Sequence, residues 1–509
     1  MILASSRAAI VRLAILAVAT TTFAHSRATA AETRPNIFFA IADDWGYPYA
    51  GVYGDKVIRT PTFDALAGAG ALFTNAFVSS PSCTPSRAAL LTGQWHWRLE
   101  ENANLHSTLQ AKFRTYPEML AQAGYFTGHS RKAWGPGDIT VGGREEDPSG
   151  PNFANFGEFL KARPGDTPFC YWFGSSDPHR PWTWQSGVNR GMDLSQVQVP
   201  ACYPDNEIIR TDIGDYLWEI ERFDREVGEA LALLEQSGQL ENTIIVMTGD
   251  HGMPSPRGKS NLYNLGTHVP LAMRWTKRVP AGRTIDDFVS LTDLCPTFLE
   301  AAGLSALPDM TARSLMPLLT SDKSGWIDAT RDFVLVGKER HVPSQERGNL
   351  GGYPSRAIRT RDYLYVRNFA PERWPNGIAD AAAAEIGNSF ADADNGPTKT
   401  YFIEHANDPE VKRFVDLAFA KRPAEELYDL RKDPGELVNV AESSDYAEIK
   451  SELSERLMNL LRETADPRVV GGGEKFDTYP YYGNRQTPEP STKQKRAKGP
   501  KGKRKAKAA

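Results

Sequence analysis

The sequence predicts an α/β protein with a large, doubly wound, mostly parallel sheet domain over residues 34–320 and a smaller α+β domain over residues 325–470. Three continuous apolar runs predict strands buried on both faces, and they cover residues 37–42, 169–173 and 243–248. Helical patterns lie between these runs, an alternation typical of a doubly wound domain. After residue 319 shorter strand patterns joined by turns replace them, and these predict the second domain.

The helices of the first domain are predicted from apolar residues at helical spacing and from glycines that end them. They cover residues 62–71, 116–123, 216–237 and 292–302. In the second domain strands are predicted at residues 332–336, 355–360, 363–368 and 425–430, with a closing helix at 446–463.

Composition excludes several classes of protein. With 40% hydrophobic and 24% charged residues, the 509-residue chain has the proportions of a globular enzyme and not of a disordered or fibrous chain. The net charge of −4 indicates no particular partner, and no nucleic acid is expected. Only four cysteines occur, too few for a disulfide scaffold in a chain of this length, and Cys170 is expected in the core because its run is apolar.

Residues 1–31 predict a cleavable signal peptide. Arg7 and Arg12 supply positive charge, residues 13–22 a short apolar stretch, and residues 28–30 a small-residue cleavage site. The apolar stretch is too short to span a bilayer comfortably, so we expect a secreted or periplasmic protein with no membrane span. Residues 486–509 form a basic tail that we expect to be disordered; it is either simply solvated or a means of retention near an anionic polysaccharide.

Polar side chains follow each of the three predicted strands. Asp43 and Asp44 follow the first strand, His179 lies shortly after the second, and Asp250 and His251 follow the third. Sites in open α/β sheets are built at the carboxyl ends of strands. Adjacent carboxylates repel without a cation, and their oxygens suit Ca²⁺ or Mg²⁺, whereas imidazole suits hard cations less well. A turn with a helix cap is the alternative for the aspartate pair alone.

The strongest local motif is Cys-Thr-Pro-Ser-Arg at residues 83–87. Pro85 suits the first turn of a helix and Gly93 suits its end, so Cys83 is expected at a helix N-terminus, where anions are favoured. Arg87 adds a positive charge one turn later. From these residues alone, a buried cysteine beside an ordinary helix is an equally good interpretation.

This motif resembles the C-x-P-S-R signature of the type I sulfatases, a branch of the alkaline phosphatase superfamily. The resemblance continues in order along most of the chain, at residues 36–44, 124–137, 248–252, 259–270 and 426–436. It implies an alkaline-phosphatase-like fold and a sulfatase whose nucleophile is formylglycine, made from Cys83 by a maturation enzyme that recognises the Cys, Pro and Arg of the motif.

The resemblance also implies the remaining site residues. One Ca²⁺ would be held by Asp43, Asp44 and Asp250, with His251 where many members have Asn. Hydrated formylglycine would attack sulfur after the metal and Asp250 favour loss of a proton. The family's residues that stabilise the sulfuryl oxygens and protonate the leaving group match Arg87, Lys132, Lys259 and His179.

One position departs from the family pattern. The family has a histidine two or three residues after its lysine, but Lys132 is followed by Ala133, Trp134 and Gly135. That histidine helps to break down the sulfated intermediate in the family scheme. His129 and His106 are candidates to replace it, on proximity in sequence only.

The substrate is expected to be an N-sulfated or O-sulfated glycan, because residues 132–137 and 177–181 most resemble the heparan N-sulfatase side of the family. Trp134, Trp182 and Trp184 are expected either to stack on sugar rings or to serve packing alone. Two alternatives stay open. One is a phosphodiesterase or phosphonate hydrolase of the same superfamily; the other is a non-catalytic protein that binds sulfated glycans.

Overall fold

A computed structural model provides the structure of the protein and describes residues 34–483. The predicted signal peptide and basic tail lie outside the described residues. In chain order the strands are β1 (Asn36–Ala42), β2 (Ala71–Phe73), β3 (Ala76–Phe77), β4 (Phe126–Arg131), β5 (Phe169–Gly174), β6 (Thr243–Gly249), β7 (Leu271–Arg274), β8 (Arg283–Ile285), β9 (Val289–Ser290), β10 (Phe333–Lys338), β11 (Ser355–Thr360), β12 (Tyr363–Asn368) and β13 (Glu425–Asp429). The α-helices are α1 (Pro61–Gly68), α2 (Cys83–Thr92), α3 (Tyr116–Gln122), α4 (Phe156–Ala162), α5 (Ser186–Asn189), α6 (Glu207–Gln236), α7 (Asn264–Thr267), α8 (Leu294–Ala301), α9 (Met316–Leu319), α10 (Pro397–Glu404), α11 (Pro409–Phe419), α12 (Ala447–Glu463) and α13 (Pro467–Val470).

The strands form one large sheet and two smaller ones. The large sheet has seven strands in the order β4-β5-β1-β6-β7-β2-β8, and all its neighbours are parallel except where β7 pairs with β6 and β2. Strands β10 to β13 make an antiparallel sheet in chain order, and β3 pairs with β9. The predicted α/β class, with a mostly parallel sheet and a smaller antiparallel one, is confirmed.

The large sheet is buried on both faces. Along β1, Ile37, Phe39 and Ile41 enter one apolar core, and Phe38 and Ala40 enter the other. The first core is filled from the helices α2, α3 and α8, and the second from α1, α4 and α6. Alternate residues of a strand point to opposite faces, so a continuous apolar run is what a sheet covered by helices on both sides requires.

The four-stranded sheet also has two apolar faces. Val334 and Val336 pack with Phe77 and Phe288 from the first part of the chain. On the opposite face Leu335 packs with apolar residues of α12, and these are Leu453, Leu457 and Leu461. The division into independent domains at residues 320–325 stays a prediction.

Two predicted helices have different bounds in the structure. The helix expected at residues 62–71 ends at Gly68, and Ala71–Phe73 forms β2 because these apolar residues pair with both β7 and β8. The helix expected from residue 216 begins at Glu207, where the Asn206 side chain caps it by accepting a hydrogen bond from the Ile209 N–H. Strand pairing with distant segments therefore ends the first helix earlier than expected, and the cap at Asn206 starts the second helix earlier than expected.

The described residues bear on two further expectations. Within residues 34–483, no helix is long and apolar enough to cross a membrane. All four cysteines are free and buried, and Cys170 packs in the core, as its apolar run predicts.

Candidate active site

Two neighbouring parallel strands deliver four of the predicted site residues to one edge of the large sheet. Asp43 and Asp44 follow β1, and Asp250 and His251 follow β6. Asp44 has a φ of 74°, a left-handed conformation that aspartate tolerates better than most residues. This turn lets the Asp44 N–H donate to Oδ1 of Asp250 over 2.9 Å, so the two strand ends are tied together.

Cys83 is the first residue of α2 and points toward this edge. Its Sγ lies 3.3 Å from Nε2 of His251 and 3.6 Å from Oδ1 of Asp43. Pro85 occupies the first turn of the helix, and Gly93 ends it with a φ of 69°. Pro85 and Gly93 therefore lie at the start and the end of the helix, as the sequence predicts.

The residues at the strand ends form a possible metal-binding cluster. One ligand atom from each of Asp43, Asp44, Cys83 and His251 lies within 4.8 Å of the others. Within residues 34–483, Oδ1 of Asp44 makes no hydrogen bond, and it lies 3.1 Å from Nε2 of His251 and 3.2 Å from Nζ of Lys259. Burial raises the pKa of Asp44, although Lys259 opposes the shift. Buried carboxylates gathered this closely repel one another, and a bound cation would relieve the repulsion, so these residues fit a metal ion.

Asp250 has a different environment from Asp44. Its Oδ2 accepts a hydrogen bond from Nε of Arg87 over 2.8 Å, and its Oδ1 lies 3.7 Å from Nε2 of His251. Burial alone would raise the pKa of Asp250, but His251, Arg87 and Lys132 together outweigh it and hold that pKa well below its ordinary value. Asp250 is therefore an ionised carboxylate throughout the neutral range.

Three cations surround the cluster, and we call Arg87, Lys132 and Lys259 the cationic clamp. Arg87 and Lys259 are buried and Lys132 is half-buried. Lys132 donates to Asp43, and Nζ of Lys259 lies 3.2 Å from Oδ2 of Asp44. Burial would lower the pKa of each lysine, but the neighbouring carboxylates outweigh it and raise both pKa values. The clamp is therefore fully charged at neutral pH.

Arg87 is the most constrained member of the clamp. It is fully buried, and Nη1 donates to the carbonyl oxygens of Ala133 at 2.8 Å and Lys132 at 3.2 Å. Among the described residues its buried Nη2 finds no hydrogen-bond partner, and the nearest carboxylate oxygen, Oδ1 of Asp43, lies 3.8 Å away. A buried guanidinium donor without an acceptor is costly, and a bound anion would satisfy it.

His179 lies at the mouth of the site, where its side chain is 35% exposed. Its Nδ1 lies 2.5 Å from the carbonyl oxygen of Arg180. A carbonyl oxygen only accepts, so Nδ1 carries a proton, and Nε2 is the nitrogen left for the site. The structure thus brings together all nine residues that the sequence indicated, while the chemical role of each stays a prediction.

The thiol of Cys83 is not poised to react by itself. Cys83 is 2% exposed and packs against Leu105 and Val342. Burial raises the pKa of Cys83 even though Lys132 and Lys259 favour the thiolate. The reactive form of cysteine is the thiolate, so an unmodified Cys83 is a weak nucleophile at neutral pH.

Two residues at the site were missed by the sequence analysis. Asp394 accepts a hydrogen bond from Nζ of Lys259 over 3.0 Å and lies 3.9 Å from Nε2 of His179. His341 contacts the residue that precedes Cys83, with its Nδ1 2.8 Å from Oγ of Ser82. His341 follows β10, so the rule that polar residues gather at strand ends could have found it. Asp394 lies in an irregular connection that has no such signal.

The candidates for the absent histidine differ in position. His129 lies on β4 with its Nδ1 2.8 Å from the carbonyl oxygen of Gly150. His106 is close enough to the clamp to feel its charge, because burial first, and then Lys132 and Lys259, lower the pKa of His106 to about 4. Of these two, His106 is the one whose surroundings connect it to the site.

The three tryptophans also separate. Trp134 is buried, with Nε1 donating to Oδ1 of Asn102 over 3.4 Å, and it serves packing. Trp182 is half-buried beneath the guanidinium of Arg180, whereas Trp184 is 45% exposed.

Comparison with known proteins places this geometry in a family. The sulfatase family profile matches residues 35–304. An N-sulphoglucosamine sulphohydrolase of Homo sapiens is 30% identical over 85% of this chain and 91% of its own. An ulvan-active sulfatase of Formosa agariphila is 29% identical over 86% of this chain and 82% of its own.

Solved structures share the fold at lower sequence identity. A protein solved with its substrate D-glucosamine-2-N,6-O-disulfate has a TM-score of 0.62 at 20% identity and covers 85% of this chain and 98% of its own. A phosphonate monoester hydrolase of Agrobacterium radiobacter has a TM-score of 0.59 at 20% identity and covers 86% of this chain and 97% of its own.

The chain belongs to the sulfatase family of the alkaline phosphatase superfamily. It is a sulfuric ester hydrolase. The two sequence relatives described above are named as a sulfatase and a sulphohydrolase, and neither is named as a phosphodiesterase.

Proposed function

We propose that this sulfatase removes sulfate from a sulfated glycan with formylglycine, formed from Cys83, as nucleophile and with one bound Ca²⁺. The observation that carries the proposal is the arrangement around Cys83. Its sulfur lies within 3.6 Å of His251 and Asp43 at an edge where the cationic clamp converges. Formylglycine would supply a hydrated aldehyde as nucleophile, and Ca²⁺ would supply charge to polarise sulfuryl oxygens.

The ion is proposed to be held by Asp43, Asp44 and Asp250, with His251 as their neighbour. Oxygen donors dominate this set, which favours a hard cation over a transition metal. The close approach of the buried Asp43 and Asp44 carboxylates supports the proposal independently of the family.

The cationic clamp is proposed to bind the sulfuryl oxygens. Within residues 34–483, the buried Nη2 of Arg87 has no hydrogen-bond acceptor. Lys132 and Lys259 are held on Asp43 and Asp44. Donors fixed before the reaction stabilise developing negative charge without reorganisation. His179 presents Nε2 at the mouth and is proposed to donate a proton to the departing oxygen or nitrogen.

Modification of Cys83 is proposed to precede folding of this region. The thiol is 2% exposed in the folded chain, so a maturation enzyme would not reach it there. The Cys, Pro and Arg of residues 83–87 are the features that such an enzyme is expected to recognise.

The substrate is proposed to be a sulfated amino sugar within a glycan, carrying N-sulfate or O-sulfate. The human relative is named for N-sulphoglucosamine, and one structural neighbour was solved with a sulfated glucosamine. The signal-peptide pattern of residues 1–31 supports a secreted or periplasmic location, where such glycans are met.

The test is sulfate release from a panel of N-sulfated and O-sulfated heparin disaccharides, with a phosphonate monoester included. The parent, produced with a maturation enzyme, is compared with Cys83→Ala. Cys202→Ala is the matched control, because Cys202 is equally a buried free cysteine but lies outside the site.

Release by the parent and by Cys202→Ala, and none by Cys83→Ala, is the expected result. Equal release by Cys83→Ala would contradict the role of that residue. Release of phosphonate products alone would overturn the sulfated glycan as substrate, and no release by a parent shown by mass to carry formylglycine would point to a protein that only binds glycans.

A further inference from the structure

A carboxylate stands at the mouth of a site built for an anion. Asp394 shares the ammonium of Lys259 with Asp44, over 3.0 Å and 3.2 Å respectively. The side chain of Asp394 is 21% exposed, whereas those of Asp43 and Asp44 are 2% and 0% exposed. Asp394 is therefore the carboxylate that an arriving substrate meets.

Asp394 is held in place by a scaffold beneath it. On one side, Asp392 forms a buried ion pair with Lys338, 2.7 Å between Oδ2 and Nζ. On the other, the buried Lys399 donates to the carbonyl oxygen of Ala393 over 2.8 Å and to Oδ1 of Asn395 over 3.0 Å. A connection without helix or strand is thus fixed by buried lysines, so the carboxylate of Asp394 is pre-oriented.

The charge of Asp394 is also fixed. Burial would raise its pKa, but Lys259, His179 and His341 outweigh burial and hold that pKa below its ordinary value. An ionised carboxylate repels a sulfate bound beside it. The carboxylate of Asp394 also offsets part of the positive charge of Lys259, the clamp lysine that would bind the sulfate. The ion pair with Lys259 stabilises Asp394 in the free enzyme, and a hydrogen-bond donor on the substrate would offset its repulsion of the sulfate.

The geometry indicates where that donor lies. Oδ2 of Asp394 makes both contacts, to Lys259 and, at 3.9 Å, to Nε2 of His179. Within residues 34–483, its Oδ1 accepts no hydrogen bond, whereas Oδ2 accepts one from Lys259. Consider a sulfate held by Lys259, with the atom that links sulfur to the sugar facing His179. The sugar carbons next to that atom then lie beside Asp394.

We infer that Asp394 determines specificity: its carboxylate accepts a hydrogen bond from a hydroxyl or N–H group on the sugar carbon next to the sulfated position. The inference rests on the proposed function and adds a residue that recognises the sugar and not the sulfate group. An ionised acceptor facing a donor in a partly desolvated site gives one of the stronger hydrogen bonds available to a protein.

The experiment uses the matured full chain and separates sugar recognition from sulfate binding. Steady-state kinetics on the disaccharide that the parent prefers give kcat/KM, and competition by inorganic sulfate gives Ki for the anion alone. The variants are Asp394→Ala and Asp394→Asn, and Asn keeps an uncharged acceptor. Asp380→Ala is the control, since Asp380 is an exposed carboxylate of the same connection.

For Asp394→Ala we expect kcat/KM to fall about 10- to 100-fold, as for loss of one hydrogen bond to a charged group. Asp394→Asn is expected to recover part of this, while Ki for sulfate stays within about twofold or tightens. A substrate analogue lacking the neighbouring donor should show no difference between parent and Asp394→Ala.

Three results would overturn the inference. An unchanged kcat/KM in Asp394→Ala would show that the carboxylate does not contact the sugar. A parallel loss of sulfate affinity would show that Asp394 only positions Lys259. A parent that releases no sulfate from any disaccharide would remove the proposed function and the inference with it, and this failure differs from the other two because it appears before any variant is made.

Discussion

Replacement of Arg87 by lysine tests how the site is joined together. The side chain of Arg87 links α2 to the end of β6 through Asp250, with 2.8 Å between Nε and Oδ2, and to the segment after β4 through two carbonyl oxygens. Lysine keeps the positive charge but has a single nitrogen, so it cannot reach all three acceptors.

The magnitude follows from the groups left unpaired. The carbonyl oxygen of Ala133 loses its donor, whereas that of Lys132 keeps Nε1 of Trp172 at 3.2 Å. One unpaired buried group costs about 1–3 kcal/mol, so the free energy of unfolding should fall by about that amount. Loss of Nη2 as a donor to the sulfuryl oxygens should lower kcat by about 10²- to 10³-fold. Arg87→Met removes the charge as well and should add the cost of an uncompensated buried Asp250, about 3–5 kcal/mol for the broken ion pair.

The assay combines urea unfolding with sulfate release. Arg59→Lys is the matched control, because the Arg59 side chain is 70% exposed and its Nε lies 3.8 Å from Glu221, so little change is expected. If Arg87→Lys keeps both the stability and the kcat of the parent, the interpretation of Arg87 as a buried joint and anion donor is wrong.

Three further predictions concern stability. Burial raises the pKa of Glu436 from 4.5 to about 7, so its contribution to stability is complete below pH 4.5 and lost as the pH rises through 7. By urea unfolding, the parent should therefore lose about 3 kcal/mol relative to Glu436→Gln across that window, and a difference that does not vary with pH would contradict the shift. Asp466→Ala breaks a buried ion pair with Arg356, in which Oδ2 and Nε lie 2.6 Å apart. The free energy of unfolding should fall by about 3–5 kcal/mol while kcat stays unchanged. A large loss of kcat in the folded variant would contradict the purely structural role of Asp466. Removal of the metal by a chelator should lower Tm, because it exposes the mutual repulsion of Asp43 and Asp44, and added Ca²⁺ should restore it; a Tm indifferent to chelation would argue against the ion.

Much of the fold could be predicted from the sequence because the central strands carry a strong local signal. Residues 37–42 form a continuous apolar run, and β1 lies in the middle of the sheet between two helical layers. The strands β2, β4, β7 and β8 of this sheet were not foreseen. Strands β2, β7 and β8 are four residues or shorter, and partners far away in the chain define them. Strand β4 has six residues but no continuous apolar run.

The candidate site divides in the same way. Most of its nine predicted residues follow strand ends or lie near the start of α2, where local pattern and motif coincide. Lys259 lies in an irregular segment after β6, and only the family motif indicated it. Asp394 could not be predicted, because its place depends on buried lysines that hold its neighbours, Lys338 from the distant β10 and Lys399 from the following helix α10. The absent histidine after Lys132 was noticed in the sequence, yet only the structure adds His341 beside Ser82.

The most direct test of the account is the relation between sulfatase activity and conversion of residue 83. Preparations expressed with graded amounts of a maturation enzyme would be assayed for sulfate release, and peptide mass spectrometry would measure the fraction of Cys83 converted to formylglycine in each. The account predicts that specific activity rises in proportion to that fraction and extrapolates to zero for unconverted protein. Substantial activity in protein with unmodified Cys83 would contradict it.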